Sequence, residues 1–331
     1  MKISALCQSP VRQGGNSEQA LSETVALAEY LDVLGYDRFW VSEHHSTAAY
    51  AGSAPEVLLA AIGARTKTIR LGTGGIMLPH YSEFKVAEVA SVLASLYPGR
   101  VDIGFGRAIG AGADTARELA GGGGSRFHLF PQMVEGVVQK LSNKRYRPKL
   151  FPRPAVDPVV WMLGTSSDSA ALAGRLGLPY NFALFINPDM RSDVVGHYKE
   201  SFVPSEQLAT PYSCLTINVY CADTEEKARQ LAQARHLSLL RVVTGAGFSG
   251  IGSIDEAKNY PYGDQELEFI SQRSRLDAIG TPEQVKAQIE GLQAMFGVDE
   301  IMTVTITYDF DDRKRSYELL AEVMGLKGGA N

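Results

Sequence analysis

Apolar positions in this chain follow two periods that take turns along its length. Short runs rich in β-branched and aromatic residues alternate with longer stretches of helical spacing. "ISALCQS" precedes an amphipathic stretch at 17–34, "RFWVSEHH" precedes 55–65, and "IRLGTGGIML" precedes 82–96. "VDIGFGR" leads through a glycine-rich segment to 131–141, and "VVWMLG" leads to 167–176. "YNFALFI" is followed by 189–202, "YSCLTINVYCA" by 224–240, and "EIMTVTIT" by 311–324. Such alternation predicts a parallel sheet. Eight units closing on themselves make a (β/α)8 TIM barrel, whose chemistry sits at the C-terminal ends of the strands. The competing architecture is an open doubly wound sheet, which needs a glycine-rich fingerprint after the first strand. "CQSPVRQGGNSEQ" does not supply one, and "GFGRAIG" is one residue too long and follows the fourth strand.

Two places depart from strict alternation. "ELAGGGGSRFHLFPQ" contains a run of four glycines at 121–124, and 244–262 is a long connection after the seventh unit, expected to be an inserted lid loop. A further helix is predicted at 264–278. The next one opens with Thr281 as N-cap, Pro282 at the first helical position and Gln284 as capping-box partner. No boundary or internal repeat divides the chain, so residues 1–331 are read as a single domain.

Composition narrows the classes. With 331 residues, 45% of them hydrophobic and 21% charged, the chain can bury a large core. A net charge of −5 argues against a nucleic-acid partner. No run approaches the roughly 18 apolar residues of a membrane span, and the N-terminus has no signal-peptide pattern. Cys7, Cys214 and Cys221 form no CxxC, so neither a metal site nor a disulfide framework is expected, and buried free thiols fit a reducing cytoplasm.

The candidate chemistry starts at "WVSEHHS". Strand alternation puts Phe39 and Val41 on one face and Trp40, Ser42 and His44 on the other. The Phe39 face packs against helices. The Trp40 face is turned into the barrel, with His44 at its C-terminal mouth. An imidazole there can exchange protons near neutral pH. On these residues alone, proton transfer and simple capping of the strand both remain open. The same holds for "LGTSSDS". Gly164, Thr165, Ser166 and Ser167 lie where a strand ends and a helix begins, which suits either anion binding or ordinary N-capping. Gly72, Thr73, Gly74 and Gly75 end the third strand, as a bulge or as backbone pressed against a ligand.

The stretch from "RFWVSEHH" through "APE", "IRLGTGGIMLP" and "YPGR" to "GFGRA" resembles the bacterial luciferase-like flavin-dependent monooxygenases, in its single-chain group. "LGTSSDSAALAGRLGLPYNFA", "AIGTPEQV" and "TITYDFDDRKRSYELLAEVMGL" continue the likeness over almost the whole chain. The resemblance implies a barrel that takes reduced FMN from a separate flavin reductase. There O2 gives a flavin C4a-hydroperoxide that oxygenates a small organic substrate. It implies His44 as the acid–base group, with His45 behind it. It implies phosphate binding by Arg107 together with Gly164, Thr165, Ser166 and Ser167. Arg107 has an alternative as a surface ion pair with Asp114 or Glu118. A non-proline cis peptide at Gly74–Gly75 facing the flavin is also implied, as is a homodimer. Two alternatives stand beside the oxygenase. One is an F420-dependent oxidoreductase of the same superfamily, against which the E-H-H pattern leans; the other is an FMN-binding protein without turnover. One of Ala5 and Cys7 is expected to face the ring. Trp161 and Met162 are assigned to the core, His128 and His197 to the surface, and His80 to either the pocket or a loop.

Overall fold

A computed structural model describes residues 1–107, 112–124, 126–188, 193–245 and 250–328. Nine parallel strands run in chain order: β1 (Lys2–Cys7), β2 (Arg38–Val41), β3 (Arg70–Ile76), β4 (Val101–Phe105), β5 (Val159–Gly164), β6 (Tyr180–Phe182), β7 (Ser213–Cys221), β8 (Ala278–Gly280) and β9 (Glu300–Val304). β1 to β7 pair successively, β7 pairs with β9, and β9 pairs back with β1, which closes an eight-stranded barrel. β8 stands outside the ring. It pairs only with the upper end of β7, at Val219–Cys221, beyond the part of β7 that pairs with β9.

Alternation along each strand sorts side chains into two layers. Ile3, Ala5, Cys7, Phe39 and Val41 point outward into the core between sheet and helices. Leu6, Trp40, Trp161, Cys214 and Met302 point inward. The register sets Leu6 beside Trp40, so both occupy the same inner layer. The expectation for β1 is therefore corrected: Leu6, not Ala5 or Cys7, faces the barrel interior.

The floor of the barrel is ionic. Arg38 donates to Asp102 at 2.7 Å and to Glu300 at 3.0 Å, and Arg70 donates to Asp102 at 2.5 Å. Tyr212 and Ser4 donate to Glu300, and the Trp40 indole N–H donates to Asp102 at 3.2 Å. Burial opposes the Asp102 charge, but the two guanidiniums hold its carboxyl below the usual range. With the lower end sealed by these charges, only the C-terminal end of the barrel is open.

The predicted helices form with shifts of a few residues at their ends. Ser17–Leu34 is capped by Asn16, whose side chain accepts from Gln19 N at 2.8 Å, and Gly35 ends it at φ 87°. One expectation needs correction. The helix predicted at 264–278 is Asp264–Ser274, and Ala278 already belongs to β8. There Asp277 is held by Asn218 at 2.8 Å and His236 at 2.9 Å, which turns the chain into the strand. The connection at 244–262, expected to be an inserted lid loop, carries secondary structure of its own. The preceding helix runs to Thr244, and a short helix, Ile254–Asn259, buries Ala257 against Leu237 and Leu240. Residues 246–249 of that connection, and 189–192 of the helix expected at 189–202, lie outside the described residues. No described helix is long and apolar enough to cross a membrane.

Candidate active site

A cavity of about 810 Å3 opens at the C-terminal ends of the strands. Leu6 and Trp40 of the inner layer form its base. The inward parity of β2 carries past Val41, so Ser42 and His44 also line it.

His44 is held on three sides. Its backbone N–H donates to the Gly52 carbonyl at 2.8 Å. Its Nδ1 shares a hydrogen with Ser42 Oγ at 3.1 Å. The Tyr50 ring lies 4.5 Å from the imidazole, tilted by 33°. The hydrogen bond at Nδ1 leaves Nε2 as the nitrogen able to serve a ligand. Burial pushes the His44 pKa down to about 4, helped by the nearby charges of His45 and Arg235. At neutral pH the ring is therefore an uncharged imidazole.

Glu43 also lines the cavity, and its carboxylate ties β2 to β3. It is buried; Oε1 accepts from the Tyr81 hydroxyl at 2.6 Å and lies 2.7 Å from His45 Nε2. Oε2 accepts from Met77 N at 3.0 Å. Burial and the bond to Glu43 push the Tyr81 phenol well up, so it remains protonated and donating. His45 thus stands behind the cavity wall, as its parity implies. His80 is buried behind His45, 6.5 Å from it ring to ring, and is not part of the wall.

β3 contributes a wall made of backbone. The Gly74–Gly75 peptide is cis. A Cβ on Gly74 would stand 2.7 Å from Leu6 Cδ1. One on Gly75 would stand 2.7 Å from the Gly104 carbonyl oxygen and 2.6 Å from Leu163 Cδ1. Both glycines line the cavity, and a side chain on Gly75 would meet backbone while one on Gly74 would meet the end of the Leu6 side chain.

The ends of β4 and β5 add polar groups to the cavity. Arg107 follows β4, lines the opening and is exposed. It makes no ion pair with a described residue; Asp114 is taken by Arg117 instead. Thr165 and Ser166 line the cavity where β5 gives way to the Ser167–Arg175 helix. Ser166 caps that helix, accepting from Ser169 N at 3.4 Å. Ser167, its first residue, is exposed and outside the wall. Gly164 also lines the cavity, and here the need for glycine has a local cause: a Cβ would run into the Ser169 side chain. Two charges that sequence reasoning does not single out, Asp168 and Arg175, also line the cavity.

Other expectations fall into place. Trp161 is buried, edge-on to Trp40 at 5.1 Å, and Met162 is in the outer core. The three cysteines are buried and free, and His128 and His197 are exposed. The residues that sequence reasoning misses come from far along the chain or from just past a strand end. Arg235 donates to Tyr50 Oη at 3.1 Å across 185 positions. Gln8 lines the cavity with its buried Oε1 lacking any hydrogen-bond partner among the described residues.

A profile of the luciferase-like monooxygenases matches residues 1–300. Protein YwcH of Bacillus subtilis is 43% identical over 97% of this chain and 98% of its own. The N-acetyl-S-alkylcysteine monooxygenase of the same organism is 33% identical over 98% of each chain. The crystal structure of apo-MsnO8 superposes with a TM-score of 0.93 at 34% identity, covering 98% of this chain and 99% of that one.

Proposed function

Because the chain belongs to the luciferase-like monooxygenase family, we propose that it is an oxygenase that binds reduced FMN in the barrel mouth and uses O2 to oxygenate a small organic substrate. The observation that carries this reading is the make-up of one cavity. Its wall combines the side-chain-free backbone of Gly74–Gly75 and the His44 imidazole, from β3 and the end of β2. It also holds an arginine without an ion pair among the described residues and a helix N-terminus, from the ends of β4 and β5.

The residues fit the cofactor. The bare backbone of Gly74 and Gly75 suits a flat ring. Arg107, the Thr165 and Ser166 hydroxyls and the exposed amides of the Ser167–Arg175 helix suit a phosphate dianion. Ser167 contributes through its backbone, since its side chain is outside the wall. Asp168 disfavours an anion here, and Arg175 offsets it. Reduced FMN, when bound, supplies the electrons that let one oxygen atom of O2 enter the substrate while the other leaves as water. The protein's part is binding, orientation and exclusion of water. His44 takes up or releases a proton at Nε2, which its neutral state allows at pH 7. Leu6, Trp40, Met77, Leu163 and Phe185 present an apolar surface that keeps water from the reacting atoms. In this reading a separate flavin reductase supplies the reduced cofactor.

The test is an anaerobic titration with reduced FMN, followed by turnover with a flavin reductase and 18O2. Thioethers head the substrate panel, because one relative is named for N-acetyl-S-alkylcysteines. Micromolar affinity and a product carrying one 18O atom are expected, with His44→Ala releasing hydrogen peroxide instead of product. Absence of FMN binding, or tight binding of F420 in its place, sinks the proposal.

A further inference from the structure

Arg235 sits on the Glu225–Thr244 helix, next to the buried His236 and Leu237. It is part-buried, and an arginine drawn this far into the fold is commonly matched by a carboxylate. This one is not: its hydrogen bond to a described residue is the one to Tyr50 Oη, at 3.1 Å. The nearby buried acid, Asp277, is occupied by Asn218 and His236. Tyr220, whose hydroxyl is buried without a partner among the described residues, completes the surroundings. A neutral donor such as glutamine could hold a phenol equally well. The charge needs another reason.

The other face of Tyr50 supplies it. Its ring lies 4.5 Å from His44. The loop that carries it is pinned at both sides: Val11 N donates to Ala49 O and Ala51 N to Ser9 O, each at 2.9 Å. Arg235, Tyr50 and His44 therefore form a continuous chain of contacts that ends at the cavity.

We propose that Arg235 and Tyr50 are positioning residues for His44, the guanidinium holding the phenol ring against the imidazole so that the ring plane, and with it Nε2, is fixed toward the cavity. The cation behind the ring also acts on its proton. The groups facing His44 are Ser42 and His45 on its own segment, Tyr50 from the loop and Arg235 from the helix. The Glu43 carboxylate is turned away toward Tyr81 and Met77. Among the described residues, Arg235 is thus a cation facing His44 with no anion opposing it there, and it favours the neutral ring. The purpose of the device rests on His44 being the acid–base group, but the device itself is measurable without flavin or turnover.

The experiment is NMR on histidine-labelled protein, with the His44 signal assigned by His44→Gln. In Arg235→Met the His44 ring is expected to titrate about one pH unit higher than in wild type. In Arg235→Lys, which keeps the charge and loses the planar fork, the titration stays and the ring loses its fixed orientation. In Tyr50→Phe, which keeps the ring and loses the tether, the upfield ring-current shift of His44 Cε1–H is expected to shrink. If Arg235→Met lowers Tm but leaves the His44 titration in place, the electrostatic part is overturned. If Tyr50→Phe leaves the His44 shift unchanged, the clamp is overturned. Full oxygenation by His44→Ala, with the NMR results as expected, would instead sink only the catalytic reading.

Discussion

His44 carries most of the chemistry, and its environment makes a measurable prediction. Its pKa is about 4 when folded, against about 6.5 for an unperturbed histidine. Between those values the unfolded chain binds more protons than the folded one, so stability rises with pH across the window. In the other direction, the contribution present above pH 6.5 is lost as pH falls toward 4. Thermal unfolding of His44→Gln between pH 7 and 4 should therefore show a flatter decline than wild type; parallel curves would refute the depressed pKa. His44 is legible in the sequence because strand parity counts from Trp40 through Ser42 to His44, and each step is local. Arg235 is not. In a helix of mixed charge its position reads as a solvated face. Only the pairing of distant loops brings Tyr50 beneath it. Gln8 is hidden for a different reason. It shares the inward parity of Leu6, but it lies past the end of β1, where nothing local says that the alternation continues.

The third strand shows how a short motif can be legible while its cause is not. The sequence announces that "GTGGI" is unusual, since interior glycines weaken a strand. It does not say whether ligand or protein demands them. The geometry separates the positions. Gly75 faces the Gly104 carbonyl of β4, a neighbour that cannot move without breaking the barrel's pairing. Gly75→Ala should therefore cost ~1–3 kcal/mol in urea denaturation and weaken FMN binding together with it. At Gly74 the obstacle is the end of the Leu6 side chain, which can rotate. Gly74→Ala should be milder in stability. If the two variants are equally stable, the assignment of backbone obstruction to Gly75 is wrong. β8 is illegible for a related reason. "AIG" is three residues long, too short for periodicity to register, and it exists because the upper end of β7 parts from β9 and leaves an edge to pair.

Closing the barrel explains why distant signals agree. Alternation gives eight units, the missing fingerprint after the first strand favours a closed ring over an open sheet, and the mouth then collects the residues that parity points inward. What alternation cannot show is the outer surface. The helices that follow β2 and β3, Pro55–Gly63 and Glu83–Leu96, pack beside each other and expose Val57, Val92 and Leu96, at 67%, 44% and 57% of their surface. Exposed apolar side chains on two neighbouring helices suit an interface between identical subunits, and a stable pair needs about 800 Å2 from each. These helices directly brace the strands that hold His44 and Gly75. The expected state in solution is a homodimer at twice the 35.8 kDa chain mass, with the two helices at its interface. Sedimentation of wild type against Val92→Glu combined with Leu96→Glu checks this. The double variant should run as a monomer. A monomeric wild type would remove the interface altogether. A variant that remains dimeric would move it to another face, and would leave the apolar pair on these helices without a physical account.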